Sequence, residues 1–89
     1  MDVHHDTAAQ RFQVEVKGHR GVLDYHLRDG TMTITHTGVP PAIGGRGIAA
    51  ELTRVALEAA RRNGWKVTPA CSYAAAFIRR HPEFADLLA

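Results

Sequence analysis

The sequence predicts an α/β fold: an antiparallel three-strand meander, then a βαβ unit, then two short C-terminal helices. Three observations carry this. Apolar and polar side chains alternate through much of residues 11–37, which is the period of half-buried strands. Asp29-Gly30 lies between two such runs, and a two-residue turn of this type suits a type I′ hairpin. Beyond the glycines at 44–47 the apolar spacing lengthens to that of a helix, and a further short strand follows.

Each element follows from its residues. In Arg11-Phe12-Gln13-Val14-Glu15-Val16-Lys17 every second side chain is apolar. Gly18 to Gly21 reads as a four-residue turn, after which Leu23, Tyr25 and Leu27 alternate with Asp24, His26 and Arg28. The third strand runs from Thr31 to about Thr37. An Asp29-Gly30 turn pairs Leu27 with Met32 and Tyr25 with Ile34. A turn at 18–21 pairs Val16 with Leu23 and Val14 with Tyr25. Both registers set apolar on apolar. The same count puts His36 on the apolar face, opposite Leu23. Pro40 and Pro41 then end regular pairing. From Gly47 to Asn63, Ile48, Leu52, Val55 and Ala59 form one stripe, with Glu51, Arg54, Glu58 and Arg61 opposite. Glu58 and Arg62 have favourable i,i+4 spacing, and Asn63-Gly64 is a helix C-terminal signal. Trp65 to Thr68 is a fourth strand, ended by Pro69-Ala70. Ser72, read as an N-cap, opens a helix to Arg80 with Ala75, Phe77 and Ile78 as core candidates. Pro82 breaks it, and Glu83 to Leu88 forms the last helix.

The 89 residues bound the size of the protein to one core. Residues 1–10 read as a flexible polar tail, and residues 11–89 as a single domain. No apolar run approaches the ~20 residues that span a bilayer, so no membrane association is expected. Cys71 is the only cysteine, which fits a reducing, cytoplasmic setting. The net charge of +2 comes without a basic block, so nucleic acid is not the expected partner.

Gly44-Gly45-Arg46-Gly47 stands at the head of the long helix with no Ser, Thr, Asp or Asn cap before it. Free N–H groups, close backbone approach and the helix dipole suit a phosphate or pyrophosphate. The plainer alternative is a tight turn with glycine as the cap. No Gly-Lys-Ser/Thr follows, which excludes a Walker A loop.

Val39-Pro40-Pro41, then Gly45-Arg46-Gly47-Ile48-Ala49 and Leu52, resembles the acetyl-CoA loop of the GNAT superfamily of N-acetyltransferases. Pro69-Ala70-Cys71-Ser72-Tyr73 and Arg80-His81-Pro82-Glu83-Phe84 resemble a very short stand-alone branch of it, over roughly residues 11–88. The resemblance implies a GNAT-type fold and transfer of an acetyl group from acetyl-CoA, as co-substrate and without a metal, to a primary amine. It implies cofactor contacts at Thr37, Val39, Gly44, Gly45, Arg46, Gly47, Ile48, Ala49 and Tyr73. Ala42 departs from the pattern, standing where Arg or Gln is usual, so backbone amides and Arg46 carry more of the binding. The N-terminal helices that line the acceptor pocket of longer members are also missing. A non-catalytic CoA-binding or protein-interaction module of the same fold is the competing expectation.

Two residues are candidates for the chemistry. His36, at the end of one parallel strand, is a candidate general base, the role histidine takes most often in proton transfer. Its alternative is a strand-end histidine with a satisfied hydrogen bond. Cys71, beyond the end of the other parallel strand, suits an acyl-accepting nucleophile or a thiol acid beside CoA. Its alternative is a small buried hydrophobe. The two are expected to face one cleft. Tyr73 is a secondary candidate for leaving-group acid, with aromatic packing as its alternative. Arg79 and Arg80 are candidates for the 3′-phosphate of CoA or simply a solvated helix end. The remaining histidines lack ligand spacing around Cys71.

Overall fold

The computed structural model describes residues 1–89. Its single sheet has five strands in chain order: β1 (His4–Asp6), β2 (Arg11–Val16), β3 (His19–Arg28), β4 (Thr31–Gly38) and β5 (Lys66–Pro69). The first four pair antiparallel, and β4 pairs parallel with β5 across helix α1 (Ile48–Asn63). Helix α2 (Ser72–Arg80) follows. The last element is a short helix of the 3₁₀ type, Pro82–Leu87.

The first ten residues, expected as a flexible tail, supply an edge strand instead. His5 turns inward opposite Phe12 and stacks on its ring at 3.9 Å between centroids. Its Nε2 lies 2.6 Å from the Tyr25 hydroxyl. A polar residue type here does an apolar residue's packing, so the alternation did not register.

The turns that join β2 to β3 and β3 to β4 have two residues each. Lys17 and Gly18 take φ of 51° and 78°, and Asp29 and Gly30 take 50° and 76°, the left-handed values such turns require. The first turn is therefore shorter than the four residues expected. It pairs Val16 with His19, Val14 with Gly21 and Phe12 with Leu23, not Val16 with Leu23 or Val14 with Tyr25. Gly21 belongs to the strand. A Cβ there would stand 2.9 Å from Cγ2 of Ile48, so this glycine marks the close approach of α1 rather than a turn. The second hairpin pairs Leu27 with Met32 and Tyr25 with Ile34, as expected.

One sheet face is buried through Phe12, Val14, Leu23, Tyr25, Met32, Ile34 and Val67. Against it pack Leu52, Ala56 and Leu57 of α1, Ala74, Phe77 and Ile78 of α2, and Phe84 and Leu87 of the last segment. Val55 and Ala75, expected in the core, are only half-buried. The intervening strand residues, among them Gln13, Asp24 and His36, stay half-buried or exposed, so the other face has no covering layer. Helix α1 ends on Gly64 at φ 71°, with Trp65 N–H donating to Ala60 O at 2.9 Å. The Glu58–Arg62 pair does not form. Arg54 instead reaches Glu51 and Glu58, while Arg61 grips the Asp86 carboxylate at 2.8 and 3.0 Å. That clamp, with a bond from Arg61 to Glu83 O at 2.9 Å, straps the last segment onto α1. No helix is long and apolar enough to cross a membrane.

Candidate active site

The glycine turn is held from both sides. Ile43 and Ile48 are buried, and Gly44, Gly45, Arg46 and Gly47 arch between them exposed. Gly45 and Gly47 take φ of 74° and 72°, a region L side chains avoid. Gly47 is the N-cap of α1 and provides no side-chain bond. The N–H groups of Gly45, Arg46, Gly47, Ile48, Ala49 and Ala50 donate to no acceptor within the chain. They form a nest of donors at the positive end of a sixteen-residue helix. A Cβ at Gly45 or Gly47 would meet nothing within 4 Å, so the space above the turn is open. Arg46 is exposed and makes no ion pair, while Ala42, in the preceding 3₁₀ turn, offers no donor. This fits a pyrophosphate. The side chain of Ile48 is committed to the core, leaving its backbone to face a ligand.

Beside the turn the sheet opens. The parallel β4–β5 pairing ends at Ile34 and Pro69, where Ile34 O accepts both Ala70 N–H at 2.9 Å and Cys71 N–H at 3.1 Å. Strand β4 runs on to Gly38 paired with β3 alone. Thr35 is an extra residue in β4, since Tyr25 pairs with Ile34 but Asp24 pairs with His36. This β-bulge reverses the facing of everything after it. His36 is therefore exposed on the uncovered face opposite Asp24, not on the apolar face opposite Leu23. Thr37 takes the place opposite Leu23.

It is consequently Thr37, not His36, that meets Cys71, at 3.6 Å between Oγ1 and Sγ. His36 and Cys71, expected to face one cleft, lie on either side of the point where β4 and β5 part, but His36 faces the uncovered side of the sheet while Cys71 meets Thr37, which has the opposite facing. Cys71 is half-buried and is itself the N-cap of α2, its sulfur accepting from Ala74 N–H at 3.4 Å. Ser72, expected in that role, is the first helical residue. The Thr37–Cys71 contact was missed because the bulge lies where apolar side chains give out. After Ile34 the run Thr-His-Thr offers no anchor to fix a register.

Val39 is half-buried against the core beyond the bulge. Tyr73 is 38% exposed, tilted against Phe77 at 6.4 Å. Arg79 and Arg80 are exposed at the end of α2. His81 closes that helix, stacking on Phe77 at 4.0 Å and donating from Nδ1 to Phe77 O at 2.8 Å. A groove of 390 Å³ lies between α2 and the last segment, against Pro69, Ile78, Pro82 and Leu88. Neither the glycine turn, His36 nor Cys71 lines it, and the open turn, with its free donors, is the better candidate for chemistry.

Comparisons with known proteins bear on the family and the fold. The family GCN5-related N-acetyl-transferase matches over residues 11–87. Protein NATD1 of Xenopus tropicalis is 32% identical over 83 residues, covering 90% of this chain and 76% of that protein. NATD1 of Gallus gallus is 32% identical over 85 residues, covering 92% and 77%. The solution structure of a GCN5-like protein from Staphylococcus aureus superposes with a TM-score of 0.76 at 23% identity, covering 99% of this chain and 87% of that one. The fold, the donor-rich turn and the family match lead to one assignment: this chain belongs to the GCN5-related N-acetyltransferase family.

Proposed function

We propose that the chain transfers the acetyl group of acetyl-CoA to a primary amine. The observation that carries this is the run of unpaired N–H groups from Gly45 to Ala50, beside the point where β4 and β5 part. Those donors and Arg46 hold the pyrophosphate, and the thioester arm runs along β4 past Val39 and Thr37. The amine nitrogen attacks the thioester carbonyl, the C–N bond forms and the C–S bond breaks. His36 accepts the proton lost by the amine, and Cys71 or Thr37 supplies one to the departing thiolate. Cys71 uses its sulfur as the cap of α2, which favours direct attack over an acetyl-cysteine intermediate.

The test is turnover with a panel of amines, followed by free CoA thiol, together with intact mass after exposure to acetyl-CoA alone. Amine-dependent thiol release with no mass gain is expected. A single acetyl group on Cys71 before amine is added would replace direct attack by a two-step route. CoA binding with no release for any amine would make the protein a non-catalytic CoA-binding module.

A further inference from the structure

The geometry points to Gly38 as the positioning residue for His36: its missing side chain is the seat of the imidazole. Gly38 closes β4, two residues after His36 on the same uncovered face. Its φ is not in the left-handed region, so the backbone does not call for glycine there. What glycine provides is room. A Cβ at position 38 would stand 2.8 Å from Nε2 of His36, and its next neighbours are Cε1 at 3.4 Å and Cδ2 at 3.7 Å. The three nearest atoms all belong to that ring, which therefore lies down along the strand, over Gly38. The bulge at Thr35 puts His36 on the open face, and Gly38 decides where on that face its nitrogens sit.

A contact of 2.8 Å with a carbon cannot persist, and the exposed ring yields before the sheet does. Gly38→Ala is thus expected to fold normally and displace the imidazole. This rests on His36 being the group that accepts the amine's proton. A displacement on the scale of 1 Å costs up to about 10²-fold in rate.

Two measurements test it. In the first, NMR of the wild-type protein is read for dipolar contacts between the His36 ring protons and the Gly38 α protons, and for their loss in Gly38→Ala with the other resonances unchanged. In the second, kcat is compared for wild type, Gly38→Ala, His36→Ala and the double variant, with CoA affinity measured throughout. The expected result is a loss of 10-fold or more in Gly38→Ala, unchanged CoA affinity, and no further loss in the double variant relative to His36→Ala. Absence of the ring contact overturns the seat whatever the kinetics. A full rate in Gly38→Ala, or an equal loss in both backgrounds, overturns the positioning role. A full rate in His36→Ala overturns the base reading and the catalytic meaning of the seat with it, while the spectra still decide the contact.

Discussion

Thr35, a residue with no role in the chemistry, decides what His36 can do. Without the extra residue His36 would be buried against Leu23; with it the imidazole faces solvent beside the opening between β4 and β5. If it accepts the amine's proton, His36→Ala should lower the rate by roughly 10²-fold at neutral pH. The loss should shrink as rising pH supplies free amine. An unchanged rate from about pH 6 to 9 would remove His36 from the mechanism. The sequence offers His36 and Cys71 as candidates for the chemistry, but not their surroundings. Alternation predicts facing only while apolar residues anchor it, and a bulge among threonines leaves no trace in that pattern. His5 was missed for a related reason, a polar type packed as an aromatic. Burial first, and then the nearby Arg62, lower its pKa below 6.5. The folded state thus resists a proton that the unfolded chain accepts. The stabilisation is fully present above about pH 6.5 and is lost as pH falls through the folded-state value. Thermal melts should show a larger fall in Tm between pH 7.5 and 5 for wild type than for His5→Phe, which keeps the stack without the titration. Equal falls would show that β1 docking is indifferent to this proton.

Helix α1 joins the fold to the site, because one element both fills the core and ends in the donor nest. Its burial was readable from spacing, as were the Asp29-Gly30 turn and the βαβ order, since each is a local pattern repeated over several residues. The four-residue turn expected at 18–21 is a two-residue turn because glycine has two uses, positive φ and close approach, and Gly21 serves the second. At Gly47 the first use applies, with φ 72° at the N-cap. Gly47→Glu adds a carboxylate where a pyrophosphate would sit, as well as backbone strain of about 1–2 kcal/mol. Gly47→Asn separates the two effects, because Asn tolerates the left-handed region and carries no charge. Calorimetry with CoA should show binding abolished by Glu and weakened far less by Asn, with circular dichroism confirming both folded. Equal binding by a folded Glu variant would exclude the turn as the anion site.

At the scale of the molecule, one sheet face and a single layer of helices enclose a cluster of 19 buried residues, and the opposite face is bare. A domain of 89 residues buries only about 60–65% of its unfolded surface, so its margin of stability is small and a specific ligand should move it visibly. Binding to the native state alone adds about 2.7 kcal/mol at a ligand concentration of 100 Kd. For a chain of this size each kcal/mol shifts Tm by about 4–8 °C. Saturating CoA should therefore raise Tm by roughly 10–20 °C, with the size of the rise set by concentration relative to Kd. The charge of +2 is too weak and too dispersed to give the same result with duplex DNA, whose small effect should vanish at physiological salt. Scanning calorimetry with CoA and with a DNA oligonucleotide at matched concentrations distinguishes the two. A rise with CoA that is lost in Gly47→Glu ties the stabilisation to the helix α1 terminus. No rise at millimolar CoA would mean that the donor nest is only a tight turn. A salt-resistant rise with DNA would make the open face of the sheet a nucleic-acid surface and displace the acetyl-transfer reading.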